Sequence, residues 1–555
     1  MVLYSESIRN AAAEYLKKLS LREKIGQMVQ FNSRNVNFLR EKMSDAEIMA
    51  RYPFGSYFSG SDVIDLIGHR IRGQEKLESV KDAAKIPLLI AGDLENGAGG
   101  EPLPNLIVLG ATRDPELAFE FGKVLAQRSR CCGFHWAFGP VSDIMLNWLN
   151  PAVAARALGS DPEMVAELAS QIIRGMQSEG FCATAKHFPG DGVDFRNQHI
   201  GWAQDKMSRE EWNETFGKVY RKVIDAGVRS IMNGHIALPC VDDRGVPATI
   251  SDRISTGLLR DELGFQGVLV TDALIMSGFV SFRNYEKRMI AMINAGADVM
   301  LWPEPDIFDL AEKAVAAGDI PESRVDEAAR RVLEMKFACG LLGENKLPAP
   351  QDPGPAYDLT SKKIAEKGTV LVTDRNHYLP LDPKQDRNIL VVIADEPEKL
   401  QGQDLRKYPG VVHLLDEFEA RGASLTIKSG LNCMYLVNEE MHGVQYDAVL
   451  VLFTLKPFYA YRISGATLEM IWMMNNSRHT KVIAVSLLSP YLVTENPLTP
   501  ATVINACSDS PTSQRAAVRI IYGEIEANRQ PPQDLLMDEY PLREWEKIHY
   551  DSVEN

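Results

Sequence analysis

The chain has 555 residues, more than one ordinary domain holds, and 45% of them are hydrophobic, enough for two or more sizeable cores. Its formal net charge of −15 argues against nucleic acid as a partner, because phosphates favour a basic surface. The seven cysteines are odd in number and show no C-x-x-C spacing, which excludes an evident disulfide framework or zinc site and reads as scattered reduced thiols.

The opening stretch, MVLYSESIRNAAAEYLKKLS, has the pattern of an amphipathic helix and lacks the apolar centre of a signal peptide. No apolar run reaches the ~18 residues that a membrane helix needs. A cytoplasmic protein without a membrane partner is expected; oligomeric state is not legible. Eight short apolar runs then alternate with helical stretches: IGQMVQF, FGSYFS, PLLIAGD, HWAFGPVSDI, CATAKHF, SIMNGHIAL, GVLVTDAL and DVMLWP. Such alternation predicts a parallel sheet covered on both faces, and eight units in a row predict a (β/α)8 TIM-type barrel over residues 1–343. The proline-dense stretch at 344–360 reads as a linker. A second alternation, GTVLVTD, NILVVIA, DAVLVLFT, KVIAVSLLS and ATVINACS with a closing helix from Pro511, predicts a second α/β domain over 361–530. A polar tail occupies 531–555.

Several barrel runs end in polar residues, where this fold places its chemistry. Asp272 follows the apolar run GVLV, where a carboxylate must be compensated; it reads as a nucleophile or as a helix N-cap. Lys186 and His187 open KHFPGDGVDFRNQH, a loop with Asp191, Asp194 and His199 as candidate proton carriers. Lys186 is a strong donor that suits sugar hydroxyls or carboxylates, or an ion pair that holds the loop. Asp93 and Glu95 close the third run, and the glycines after them do not form a phosphate loop. Arg156 lies in a loop before Ser160-Asp161-Pro162, which opens a helix; Asn233 and His235 end another strand. The carboxylates do not sit at metal-ligand spacings, so neither a metal nor a cofactor is expected.

The stretches LSLREKIGQM, IAGDLENG, NPAVAARALGSDPEM, ATAKHFPGDG, IMNGHIALP, GFQGVLVTDALIMSG and INAGADVML follow one another over some 280 residues. In these the chain resembles glycoside hydrolase family 3, in particular its β-N-acetylglucosaminidase branch. LSPYLV and AAVRIIYGEI resemble, more weakly, the family's C-terminal α/β sandwich domain. The resemblance implies a retaining glycosidase acting on a carbohydrate substrate, with Asp272 as the nucleophile. Asp93, Arg156, Lys186, His187, His235 and Met276 match substrate-binding positions. The acid/base of that branch is a loop histidine paired with an aspartate two residues before it. Here the histidine is His199, and Asn197 stands where the aspartate would be. Asn can orient the ring but supplies no charge, so His199 should titrate lower than in an Asp–His pair.

Three alternatives for the acid/base stay open: His199, Asp194 or Asp191 from the same loop, or a second-domain glutamate as in β-glucosidase-like members. The leading expectation is hydrolysis of terminal non-reducing β-linked GlcNAc. Its alternatives are a β-glucosidase or β-xylosidase, a β-N-acetylglucosaminide phosphorylase, and a sugar-binding protein with a degenerate site.

Overall fold

A computed structural model of the chain describes residues 3–59, 70–282, 284–344, 346–395, 400–429, 446–454, 481–491 and 501–533. It divides into two compact units, one built chiefly from Met1–Gly368 and the other chiefly from Thr369 onward.

Each of the eight expected runs of the first unit carries a strand. They are β1 (Val29–Asn32), β2 (Ser56–Phe58), β3 (Leu89–Gly92), β4 (Trp136–Ala137), β5 (Thr184–Phe188), β7 (Ser230–Asn233), β9 (Val268–Thr271) and β10 (Met300–Leu301). Between them fall the short β6 (Ala203–Gln204) and β8 (Ile236–Ala237), which form a separate two-stranded ladder. The ladders run parallel in two groups, β10-β1-β2-β3-β4 and β5-β7-β9. Isolated parallel bridges connect the groups at their two seams, Trp136 to Cys182 and Val141 to Lys186 at one and Val270 to Val299 at the other. The ladders thus form a curled parallel sheet rather than the continuous closed barrel expected. The physical reason is that β4 and β10, which flank the seams, are each two residues long.

The inward side chains Leu89, Trp136, Phe138, Met232, Val268, Val270 and Val299 fill a single apolar cluster. The surrounding helices are set by their N-termini. Ser20, Ser44 and Ser208 make reciprocal capping boxes with Glu23, Glu47 and Glu211. Asp161 caps the helix Pro162–Ser178, whose first residue is proline, as the Ser-Asp-Pro sequence predicts.

The second unit is a six-stranded sheet in the order β11-β16-β15-β14-β12-β13. Its strands are β11 (Val370–Asp374), β12 (Asn388–Ala394), β13 (Ser424–Ser429), β14 (Ala448–Phe453), β15 (Lys481–Ser486) and β16 (Thr502–Asn505). All neighbours are parallel except β11 and β16. Ile389, Val391 and Ile393 point to one face with the helices Val412–Ala420 and Pro511–Ile521, and Leu390 and Val392 to the other. This is the period of two expected of a strand buried on both sides. β13 is absent from the sequence expectation because it is a half-exposed edge strand, SLTIKS, with little apolar signal. The chain is helical over Pro355–Gly368, within the first unit, where a linker to 360 was expected. A proline is well tolerated at the first turn of a helix, so Pro355 starts this one instead of excluding it. Most of the tail at 531–555, and Cys433, lie outside the described residues. Among the described residues, no helix is long and apolar enough to cross a membrane.

Candidate active site

Asp272 follows β9 directly and is 8% exposed. Its Oδ1 accepts a hydrogen bond from the Ala273 N–H at 2.7 Å, while Oδ2 is buried without a hydrogen-bond partner. The next helix is Ser277–Val280 with Met276 at its N-cap, so Asp272 caps nothing. Burial pushes its carboxyl up, but His187, His235 and His199 outweigh that and hold it below the usual range. His187 Nε2 lies 4.0 Å from Oδ2. A buried anion with one uncommitted oxygen is the arrangement a nucleophile requires.

His187 is oriented by Asp143, a buried residue of the fourth apolar run. Asp143 Oδ2 accepts from Nδ1 at 2.7 Å, and its Oδ1 accepts from the backbone N–H groups of His187 and Asp191, both at 2.9 Å. Burial would lower His187, but the Asp143 charge overrides it and raises the ring's pKa. The ladder between β5 and β7 skips a residue between Lys186 and Phe188, so His187 stands out of register. Such a bulge re-aims a side chain at a strand end. Lys186 turns the other way. Its Nζ lies 3.0 Å from Asp93 Oδ1 and 2.8 Å from Glu95 Oε1. Arg156 grips Glu95 with two parallel bonds of 2.7 and 3.0 Å. Burial would raise Glu95, yet the two cations hold it far below the ordinary carboxylate range. Asp93 remains exposed beside this buried cluster.

His235 is fully buried, and protein groups occupy both its ring nitrogens. Nδ1 lies 2.7 Å from the Thr249 hydroxyl and Nε2 lies 3.0 Å from the Ala273 carbonyl. Because a carbonyl only accepts, Nε2 carries the proton. His235 therefore holds the backbone beside Asp272 rather than offering a ring nitrogen to a sugar. Met276 is buried in the apolar cluster.

The loop from Asp191 to His199 is tied down on both sides. Gly192, at φ 114°, lies so close to the Ile144 carbonyl that a Cβ would come within 2.0 Å of it. Asn150 Nδ2 donates to Asp191 Oδ1 at 2.7 Å and to the Asp194 carbonyl at 2.8 Å. The N–H groups of Ser277 and Gly278 donate to the carbonyls of His199 and Gln198. Gln198 also links Asp191 Oδ2 to the His235 N–H. Asp194 accepts from the Arg196 guanidinium and from the Gln204 N–H, which commits it to the loop. Asp191 is buried; that burial, with the Asp143 charge, pushes it up to about 6.

His199 lies close enough to Asp272 for their charges to interact. The Asn197 Oδ1 accepts from the His199 backbone N–H at 2.9 Å and lies 2.6 Å from Nδ1. The backbone donor identifies the Asn197 atom as its oxygen, so Nδ1 bears a proton and Nε2 is the nitrogen that titrates. Burial lowers this ring to about 4, with Arg156, His187 and His235 adding to it and Asp272 opposing. Among the described residues no group of three His, Cys, Asp or Glu could hold a metal ion.

Residues 20–335 match the glycosyl hydrolase family 3 N-terminal domain. The chain belongs to glycosyl hydrolase family 3. A protein from Cellulomonas fimi, a "beta-N-acetylglucosaminidase/beta-glucosidase", is 34% identical over 333 residues; the match covers 56% of this chain and 59% of that protein. A "beta-hexosaminidase" of Methylobacillus flagellatus is 32% identical over 245 residues, covering 42% of this chain and 69% of its own. The fold as a whole resembles that of a β-glucoside phosphorylase, with a TM-score of 0.81 over 96% of this chain and 97% of the other at 23% identity.

The expected residues Asp272, His187, His199 and His235 interact in one cluster, and Lys186 and Arg156 meet at Glu95 in a second, to which Lys186 also joins Asp93. Sequence reading missed Asp143 and Gln198 and gave Glu95 no role. Asp143 ends an apolar run in the same way as Asp272, and that was its available signal. Nothing local marks Gln198.

Proposed function

We propose that this family 3 protein is a retaining exo-β-N-acetylglucosaminidase. The observation that carries the proposal is the buried, partnerless Asp272 Oδ2 with His187 beside it and the His199–Asn197 pair on the same cluster. The N-acetylglucosaminidase and hexosaminidase names of the two sequence relatives support the choice of sugar.

In the first step Asp272 Oδ2 attacks the anomeric carbon, and the leaving oxygen takes a proton from His199 Nε2. In the second, Nε2 takes a proton from water as that water attacks the glycosyl ester, which releases Asp272 and the sugar. Lys186, Arg156 and Asp93 supply donors and an acceptor for sugar hydroxyls. Asp143 keeps His187 protonated on Nδ1, so that Nε2 faces the reacting carboxylate. With its pKa lowered to about 4, His199 is largely neutral at pH 7. The second step, which needs a neutral base, is therefore favoured over the first.

One observation favours a second reading. His199 and its partner Asn197 are both uncharged at neutral pH, so nothing in the pair repels a phosphate dianion, and phosphate needs no base to attack. Phosphorolysis of the same intermediate is compatible with this site.

Turnover of aryl β-GlcNAc and aryl β-glucoside, each with and without inorganic phosphate, tests both. The expected result is preference for the GlcNAc substrate. A clear preference for the glucoside would overturn the proposed specificity, and a phosphate-dependent sugar 1-phosphate would replace hydrolysis with phosphorolysis. No turnover of either substrate would leave the sugar-binding protein.

A further inference from the structure

At the N-terminal ends of the strands, away from the site, the fold joins two thiols distant in sequence. Cys182 stands just before β5, and Cys339 caps the C-terminal end of the helix Glu322–Ala338. They are 157 residues apart in the chain, and their sulfurs are 3.1 Å apart. Both are buried, whereas Cys131 and Cys132 are exposed and Cys240 is half-buried. Arg229, immediately before β7, lies close enough to act on the Cys182 sulfur with its charge.

The two sulfurs differ in character. Burial opposes a Cys182 thiolate, but the hydrogen bond from Cys339 and the Arg229 guanidinium outweigh it and bring this thiol down. Cys339 goes the other way, raised by its bond to Cys182 and by burial. One sulfur is thus prepared as a nucleophile and its neighbour as the thiol that resolves the product.

We propose that Cys182 and Cys339 are an oxidative modification site that closes to a reversible disulfide on reaction with a hydroperoxide. The Cys182 thiolate attacks the peroxide oxygen and breaks the O–O bond; with hydrogen peroxide the leaving hydroxide takes a proton to become water. The Cys339 sulfur then attacks the sulfenic sulfur, loses its proton and expels a second water. Two thiols are oxidised by two electrons as one peroxide is reduced to two waters. The sulfurs need to approach by only about 1 Å to reach the ~2.05 Å of a disulfide. The bond would fasten the start of β5, whose far end carries Lys186 and His187, to the end of the helix Glu322–Ala338.

The test treats the full-length protein with hydrogen peroxide, quenches it, alkylates the remaining thiols under denaturing conditions and maps the unreduced peptides by mass. The expected product is a Cys182–Cys339 linked pair lighter by two hydrogens and restored by dithiothreitol. The thermal midpoint should rise by roughly 5 °C or more on oxidation, and Cys339→Ser should abolish that rise. Recovery of Cys182 and Cys339 as free thiols or as unlinked oxyacids overturns the proposal, as does a midpoint rise that persists in Cys339→Ser. Should that variant not fold, Cys182→Ser takes its place, and the peptide map of the wild-type chain decides alone.

Discussion

At the scale of single residues, Asn197 and Asp205 have the clearest consequences. Asn197 orients His199 without charging it, and burial then leaves the ring near 4. Asn197→Asp keeps the acceptor and adds a charge that favours imidazolium. The limb of the kcat/KM profile that reports His199 should shift to higher pH by roughly one unit or more, read on a GlcNAc glycoside with a poor leaving group. A limb that stays in place would show that another group carries the proton. Asp205 is 1% exposed and neither of its oxygens has a hydrogen-bond partner. Burial, with the charges of Asp191, Asp143 and Asp194, raises it far above its usual value, so the native state holds it protonated. A folded pKa above the unfolded one means that the cost of this proton grows as pH rises past ~3.9. Asp205→Asn should therefore raise the thermal midpoint, and by more at pH 8 than at pH 4. Equal changes at both pH values would exclude a protonated native Asp205.

At the scale of elements, the two ends of the strands do different work. The C-terminal ends of β3, β5, β7 and β9 lead into Asp93, His187, His235 and Asp272, while the N-terminal side is fastened by ion pairs. Asp298, just before β10, is wholly buried and accepts from Arg260, Arg324, Arg331 and the Leu269 N–H. It ties the helices that follow β8 and β10 to the strand between them. Asp298→Asn leaves three guanidinium groups without their carboxylate and should cost about 3–5 kcal/mol. The expected readout is a lower urea midpoint with an unchanged slope. The strand positions were legible because buried parallel strands are short unbroken apolar runs. β13 was not, since its half-exposed edge carries neither a run nor a clean alternation. The Pro355–Gly368 helix was hidden because four nearby prolines signal a linker more strongly than the helical pattern after them signals a helix.

At the scale of the whole molecule, the proposed site is a set of charges that the fold desolvates, an arrangement that serves chemistry better than stability. Asp272→Asn preserves shape and the Ala273 contact while removing the proposed nucleophile. Turnover of aryl β-GlcNAc should fall by about 10³-fold or more while the thermal midpoint stays within a few degrees of wild type. A collapse of stability alongside activity would assign Asp272 a structural role instead.

The sequence by itself determined where the eight principal strands of the first unit lie and the membership in family 3. Each of those is written locally, in apolar runs and in the polar residues that close them. The tertiary structure alone decided how these residues are used. It committed Asp194 to Arg196, turned both ring nitrogens of His235 onto protein groups, and brought Asp143 to His187 and Cys182 to Cys339. Partners of this kind come from separate elements, and chain spacing carries no record of which strand ends and helix ends the closing sheet will bring within a hydrogen bond of one another.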